Sequence, residues 1–108
     1  MSQYIPQVTD EDIERLISRD FPPETHDEIW QLTASVTVHE RLRVIAACLK
    51  NANGRIKLLR GELYNADGYW REAISEAEYP KIKKASRYSD AEIHEKQKQQ
   101  YLKWFNES

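Results

Sequence analysis

The sequence predicts an all-α protein, a small bundle of four or five helices built around a central antiparallel helical hairpin. Three observations predict this class. Apolar residues recur at helical spacing along most of the chain. Several Ser and Thr residues are followed three positions later by a carboxylate, which is typical of helix starts. Strand-like alternation of four or more residues is missing. Since 108 residues fit one domain, we expect residues 1–108 to fold as a single helical unit.

The first two predicted helices each carry one apolar face, which is typical of a surface helix that covers a core. The first is expected over about Asp10 to Asp20. It ends before Pro22-Pro23, because the residue before a proline is pushed out of the helical region. The second is expected over about residues 26–35. The apolar faces consist of Ile13, Leu16, Ile17 and Phe21 in the first helix and Ile29, Leu32 and Val36 in the second.

Four possible N-cap patterns mark the expected helix starts. In a capping box, a Ser or Thr side chain accepts a free backbone N–H, and a Glu or Gln three residues later reaches back. The fourth pattern ends in a shorter carboxylate and is weaker. The pairs are Thr25–Glu28, Thr37–Glu40, Ser89–Glu92 and the weaker Thr9–Asp12.

The middle of the chain, residues 38–79, carries a heptad pattern. Twelve apolar residues from Val38 to Ala77 follow one another at alternating steps of four and three, as in helices that pack along a seam. One continuous helix would be about 60 Å long and would demand a partner along its length. Asn53-Gly54, however, is a typical helix stop. We therefore favour a hairpin broken at that point, and the continuous helix stays the alternative.

The three glycines of the chain, Gly54, Gly61 and Gly68, stand seven residues apart and lie opposite the heptad pattern. In a hairpin, Gly61 and Gly68 would fall inside the second helix, where each costs about 1 kcal/mol relative to Ala. Two readings stay open for them. They allow another backbone to approach closely, or they are tolerated exceptions.

The C-terminal quarter consists of a basic connector and a final helix. The connector covers residues 81–88, and the helix is expected over about residues 90–105. The middle of that helix is polar on every face, so it is either weakly tethered or docked on a neighbour. Its apolar anchors are Ile93, Tyr101, Leu102, Trp104 and Phe105.

Composition and charge predict a soluble cytoplasmic protein. No apolar run approaches the roughly 18 residues of a membrane-spanning helix, and the N-terminus shows no secretory signal. The single cysteine, Cys48, agrees with a reducing compartment. Net charge is −2, but residues 1–40 hold nine acidic and two basic side chains, whereas residues 41–108 hold nine acidic and fourteen basic ones. The two parts could pack against each other, or the basic part could face an acidic partner.

One stretch resembles a group of small uncharacterised bacterial helical proteins. The resemblance rests on Thr37 to Arg43, on Leu49-Lys50, Asn53-Gly54 and Leu58, on Trp70-Arg71-Glu72 and on Ala77 to Pro80. In that group an Arg-Val-Arg-like helix leads through a Gly turn into a helix that ends in Ala-Glu-Tyr-Pro. This chain departs from the group at Tyr69, where the group carries an acidic residue. The resemblance implies a bacterial origin and the turn at Asn53-Gly54, and it implies no activity.

No residue pattern points to catalysis, a metal or a cofactor. His26, His39 and His94 lack the spacing of three or four that paired ligands on a helix need. Cys48 lies on an apolar helix without the cationic setting of a reactive thiol. The sequence contains no P-loop and no Gly-rich loop after a strand, which argues against nucleotide hydrolysis. We therefore expect a non-enzymatic protein. The alternative, an enzyme whose catalytic residues are dispersed along the chain, has no positive support in the sequence.

Aromatic and arginine side chains predict a protein-binding surface, because Trp, Tyr and Arg dominate binding hot spots. The partner is another protein or a second copy of this chain. The alternative is nucleic-acid binding through the basic connector, against which the pI of about 5.9 counts. The predicted protein-binding residues are Trp70, Arg71, Tyr79, Tyr101 and Trp104, drawn from a surplus that also includes Trp30, Tyr64 and Tyr69. The predicted nucleic-acid-binding residues are Lys81, Lys83, Lys84 and Arg87.

Overall fold

The computed structural model describes residues 7–78 and 90–107, with the side chains of residues 90–94 excepted. Helices account for most of these residues, and no strand occurs among them, so the all-α class is confirmed. The basic connector and its four cations lie outside the described residues. The helices are α1 Asp10–Asp20, α2 His26–Ala34, α3 Arg41–Ala52, α4 Ile56–Tyr64, α5 Ala66–Glu78 and α6 Asp90–Asn106, with a 3₁₀ turn at Pro23–Thr25 before α2.

The start of α1 is the predicted capping box. The Thr9 hydroxyl accepts the backbone N–H of Asp12 at 3.2 Å, and the Asp12 carboxylate accepts the backbone N–H of Thr9 at 3.0 Å. Two of the N–H groups that a helix start leaves without partners are thereby satisfied. The predicted apolar face is buried through Ile13, Leu16 and Ile17.

The predicted caps of the next two helices are wrong. Thr25 does not cap α2; its hydroxyl donates to the Pro22 carbonyl at 2.7 Å. Thr37 instead binds Asp67 on α5, through its backbone N–H at 2.9 Å and its hydroxyl at 2.8 Å. These bonds hold the pKa of Asp67 below its usual value. The Thr25 hydroxyl binds a nearby carbonyl, and the Thr37 hydroxyl binds a residue of another helix. The spacing of a capping box reveals neither partner. The pattern Ser89–Glu92 lies outside the described residues.

Helix α3 begins at Arg41, three residues later than predicted. Glu40 has a left-handed backbone with φ 56°, so it precedes the helix rather than lying inside it. The Arg41 guanidinium donates to the carbonyls of Thr33 and Val36, each at 2.8 Å. These bonds satisfy carbonyls at the end of α2 and join it to the start of α3.

The helix break at Asn53-Gly54 is confirmed, and the continuous helix over 38–79 is wrong. Asn53 has φ 52° and Gly54 has φ 78°, which are left-handed conformations that end α3. A Cβ atom on Gly54 would lie 3.1 Å from the carbonyl oxygen of Asp20. Glycine is therefore required here both by its backbone angle and by the close approach of the end of α1.

The second arm of the hairpin contains another break, which the sequence analysis did not predict. Asn65 separates α4 from α5, and its side-chain amide donates to the Gly61 carbonyl at 2.9 Å. Because of this break, the described part of the chain holds six helices rather than four or five. The heptad pattern nevertheless stays on one side through both breaks, and the buried members in this arm are Leu59, Leu63, Ala66, Ala73 and Ala77.

Helix α3 is the centre of the core, since it packs against α1, α4 and α5. Every residue from Val44 to Leu49 is buried, including Cys48. The apolar pattern that would have required a partner along a long helix is thus buried within one chain. The seam no longer argues for self-association.

Helix α6 docks on its own chain through its C-terminal turns. Tyr101 and Phe105 belong to the core. Two arginines of α1 bind the carbonyls at the end of α6: Arg15 donates to Phe105 O at 2.7 Å, and Arg19 donates to Trp104 O at 2.6 Å. Cations at a helix C-terminus are favoured by the helix dipole. The docked alternative of the sequence analysis is therefore the correct one for this end of α6.

Replacing the glycines by alanine should change the free energy of unfolding in opposite directions. A Cβ on Gly61 or Gly68 would meet no described atom within 4 Å, so neither glycine serves close packing within the described chain. We expect Gly61→Ala and Gly68→Ala each to raise the free energy of unfolding by about 0.5–1 kcal/mol. Gly54→Ala should lower it, because Ala is strained at positive φ. Urea unfolding followed by circular dichroism measures all three. A lower free energy of unfolding for Gly61→Ala would contradict the conclusion that Gly61 has open space around it.

Candidate functional site

A groove runs between α4 and α5, on the side of these helices that faces away from the core. It encloses about 440 Å³. The α4 wall extends from Lys57 to Asn65, a length of about 12 Å at the usual helical rise. The α5 wall extends from Tyr69 to Glu76. Gly61 lies in the middle of the α4 wall, where its missing side chain leaves the groove open.

Large apolar side chains stand exposed along this groove. Leu58 is 48% exposed and Tyr69 is 61% exposed, and both line it. Tyr64, one turn beyond Gly61 on α4, is 83% exposed. Apolar groups of this size are normally covered, and exposed clusters of them mark interaction sites. We name the surface of α4 and α5 formed by Leu58, Gly61, Tyr64 and Tyr69 the α4–α5 face.

The polar part of the groove is mainly acidic. Glu62, Glu72 and Glu76 line it together with one cation, Lys57. Glu72 and Glu76 are four residues apart on α5, a spacing at which like charges disfavour the helix. Neither carboxylate has an ion-pair partner among the described residues. The groove therefore combines an apolar lining with uncompensated negative charge.

One side chain of α3 holds the two walls together from below. The Asn51 amide donates to the Glu62 carboxylate at 3.2 Å and to the Ala73 carbonyl at 3.0 Å. Glu62 belongs to α4 and Ala73 to α5, so a single amide bridges both helices. This bridge makes the groove a property of the folded core rather than of two loosely placed helices.

Two of the predicted protein-binding residues are buried, one of them completely and the other in part. Tyr101 is 0% exposed, and its ring stacks on Phe105 with centroids 6.2 Å apart. Trp104 is partly buried against the core, and the Arg19 guanidinium lies 5.1 Å from its ring centroid. Both aromatics are used to dock α6. Tyr101 therefore exposes no surface to a partner in this structure, and Trp104 exposes only part of its ring. Their binding role stays a prediction.

The other predicted residues lie on α5 or beyond it. Trp70 packs partly against the core, and the exposed Arg71 side chain stacks on its ring at 4.7 Å. This pair occupies the flank of α5 away from the groove. Tyr79 lies outside the described residues, as do the four cations of the predicted nucleic-acid site. The nucleic-acid reading stays a prediction.

A buried polar cluster was missed by the sequence analysis. Glu78 is 0% exposed, and its carboxylate accepts two hydrogen bonds from Arg43, at 2.8 and 2.6 Å. Burial raises the pKa of the Tyr101 phenol, and the nearby Glu78 carboxylate raises it further. The cluster joins α3, α5 and α6. No spacing rule marks it, because its members come from three distant parts of the chain.

The charge division of the sequence has a counterpart in a contact between α2 and α4. The Arg60 guanidinium on α4 donates to the Glu28 carboxylate on α2, with one bond at 2.9 Å, and the arginine holds the pKa of Glu28 below its usual value. Here an acidic residue of the first part pairs with a basic residue of the second part. The pairing of the two parts within one chain is therefore observed at this contact.

Neither of the two histidines with described side chains belongs to a group of three or more potential metal ligands. The His26 ring lies 2.8 Å from the Phe21 carbonyl, and His39 is exposed; the side chain of His94 is outside the described part. Within residues 7–78 and 90–107, no three His, Cys, Asp or Glu side chains are placed to hold a metal ion. The same residues contain no helix with the length and apolarity to cross a membrane.

Cys48 should be inert in the folded chain. It is fully buried, and burial raises the pKa of its thiol to about 12. Since the thiolate is the reactive form, we expect no reaction with a thiol reagent such as 5,5′-dithiobis(2-nitrobenzoate) at pH 8, and full reaction in denaturant. Rapid stoichiometric labelling of the native chain would contradict the buried position.

Comparisons of the chain with protein-family models, with curated proteins and with solved structures give no match. The resemblance to a bacterial group therefore stays a prediction. Function is therefore inferred from the geometry of the α4–α5 face.

Proposed function

We propose that this chain is a non-enzymatic helical module that binds another protein through the α4–α5 face. The observation that carries the proposal is the exposure of Leu58 and Tyr69 on opposite walls of one groove, with the exposed Tyr64 on the same helix as Leu58. Tyr is among the residue types that dominate binding hot spots, and a hot spot forms where a partner covers such side chains. No described segment of the chain covers them.

The packing beneath the surface supports the same function. The Asn51 bridge and the buried side of α4 and α5 join the two walls within the folded chain. A surface that is already in its binding conformation loses less conformational freedom on association. The module would therefore present its face as a preformed site.

Site-specific photo-crosslinking in cells that express the chain tests the proposal. The photoreactive residue p-benzoylphenylalanine replaces Tyr69 in one variant and Ser18 in the control. Ser18 is also exposed, but it lies on α1, away from the groove. We expect a discrete protein adduct from position 69 and none from position 18. Adducts of equal yield from both positions, or none from position 69, would overturn the proposal.

Light scattering of the purified chain at micromolar concentration then shows whether the partner is a second copy of the chain or a different protein. A dimer that Tyr69→Lys converts to a monomer would identify a second copy as the partner. A monomer would direct the search to a different protein, which mass spectrometry of the adduct identifies.

We also propose that the module works in a bacterial cytoplasm. The support is the single buried thiol, which suits a reducing compartment, together with the resemblance of residues 37–80 to the bacterial group.

A further inference from the structure

We propose that the occupant of the groove is a cationic amphipathic helix of a partner protein. This inference rests on the proposed function and adds the chemistry of the partner. Three properties of the α4–α5 groove support it: its charge, its apolar lining and its shape.

Charge selects a cationic partner. The groove presents three carboxylates and one ammonium group, Lys57. Glu72 and Glu76 have no ion-pair partner among the described residues, and they stand on successive turns of α5. Lysine or arginine side chains spaced one helical turn apart would meet them in register. Such complementarity speeds association and rejects acidic partners.

Apolar contact selects an amphipathic partner rather than a merely basic one. Leu58 and Tyr69 belong to opposite walls, and both are about half exposed. One apolar stripe lying between the walls would cover both side chains at once. A basic segment without such a stripe would leave them in water and lose this contribution.

Shape selects a helix. Two helices form the walls, and an amphipathic helix laid in a groove of this kind is a recurring mode of peptide recognition. The open space at Gly61, with no described atom within 4 Å of a Cβ position, leaves room for a large apolar side chain of the partner. A side chain placed at Gly61 would occupy that room, so this residue is the natural point at which to block the groove.

The test uses the purified full chain and three fluorescent peptides of about sixteen residues, long enough to form helix. The first has leucines at helical i, i+3, i+4 spacing and lysines elsewhere. The second replaces each lysine by glutamate. The third has the composition of the first in scrambled order. Fluorescence anisotropy at moderate salt measures binding. We expect the first peptide to bind at least about tenfold more tightly than the others, a difference of about 1.4 kcal/mol.

Two glycine variants provide a matched pair. Gly61→Leu fills the groove, whereas Gly68→Leu adds the same side chain at an exposed helical site outside it. Thermal unfolding confirms that both are folded. We expect Gly61→Leu to weaken binding of the first peptide about tenfold or more, and Gly68→Leu to leave it unchanged. The double variant E72Q/E76Q should weaken binding and reduce its salt dependence.

Three results would overturn the inference. The scrambled peptide binding as tightly as the first would show that charge alone is sensed. An equal effect of Gly61→Leu and Gly68→Leu would place the binding elsewhere. If the acidic peptide binds best and only Gly61→Leu blocks it, the partner class is wrong but the proposed function stands. Failure of the crosslinking experiment at position 69 would instead remove the function.

Discussion

Replacing Arg43 by methionine should lower the free energy of unfolding by about 3 kcal/mol. Its partner Glu78 is completely buried, and the described structure gives its carboxylate no hydrogen-bond donor other than the Arg43 guanidinium. Removing the arginine leaves an uncompensated charge inside the core, which typically costs about 3–5 kcal/mol. We expect the lower end, because the Arg43 side chain is 28% exposed. Urea unfolding of the purified chain measures the change.

An exposed ion pair provides the control. Arg60 and Glu28 are also joined by two hydrogen bonds, but their side chains are 49% and 38% exposed. Arg60→Met should therefore have a much smaller effect, since water solvates the remaining carboxylate. The double variant R43M/E78L should regain most of the lost stability, because both polar partners are replaced by apolar groups. Equal effects of Arg43→Met and Arg60→Met would contradict a buried pair.

Those parts of the fold that depend on local chemistry could be predicted from the sequence. Residues 53 and 54 both tolerate left-handed backbone angles, and the chain turns there. The alternation of four and three identified Ile45, Leu59 and Leu63, among others, as core residues. It left out Val44 and Cys48, which are buried as well. Periodicity reports which stripe is buried, because each helix must cover its own apolar side.

The break at Asn65 could not be found from periodicity. The seam residues Leu63, Ala66 and Ala73 stay buried on both sides of it, so the apolar pattern continues where the helix does not. A local signal was present in the turn-forming residues from Asn65 to Gly68. Gly61 and Gly68 obscured this signal. Several glycines along one helical pattern make it hard to tell which of them lies near a break.

The candidate site shows the same limit. Counting aromatics predicts a surplus but does not say which rings the core takes. Tyr101 is buried where α6 docks, whereas Tyr69 is exposed to solvent. The difference depends on where α6 lies, which is a tertiary property. Leu58 offered one signal, since it is a large apolar residue adjacent to the seam residue Leu59 but outside the seam.

Tyr101→Ala should lower the free energy of unfolding by about 4 kcal/mol. Its ring is fully buried and lies beside Trp104 and Phe105, with centroids 5.5 and 6.2 Å away. Truncating a buried aromatic to alanine removes its packing and leaves a cavity, which costs about 3–5 kcal/mol. Helix α6 depends on few other anchors, so its amides should lose protection first. Urea unfolding and hydrogen exchange of the α6 amides measure the two effects.

Tyr101→Phe separates the ring from its hydroxyl. The phenol oxygen is buried and has no hydrogen-bond partner within the described structure. Removing it should leave stability unchanged or raise it by about 1 kcal/mol, because an unsatisfied buried polar group is lost while the ring stays. A loss as large as that of Tyr101→Ala would show that the hydroxyl is bound in solution. A neutral Tyr101→Phe beside a severe Tyr101→Ala would establish that the ring of Tyr101 anchors α6 through its packing.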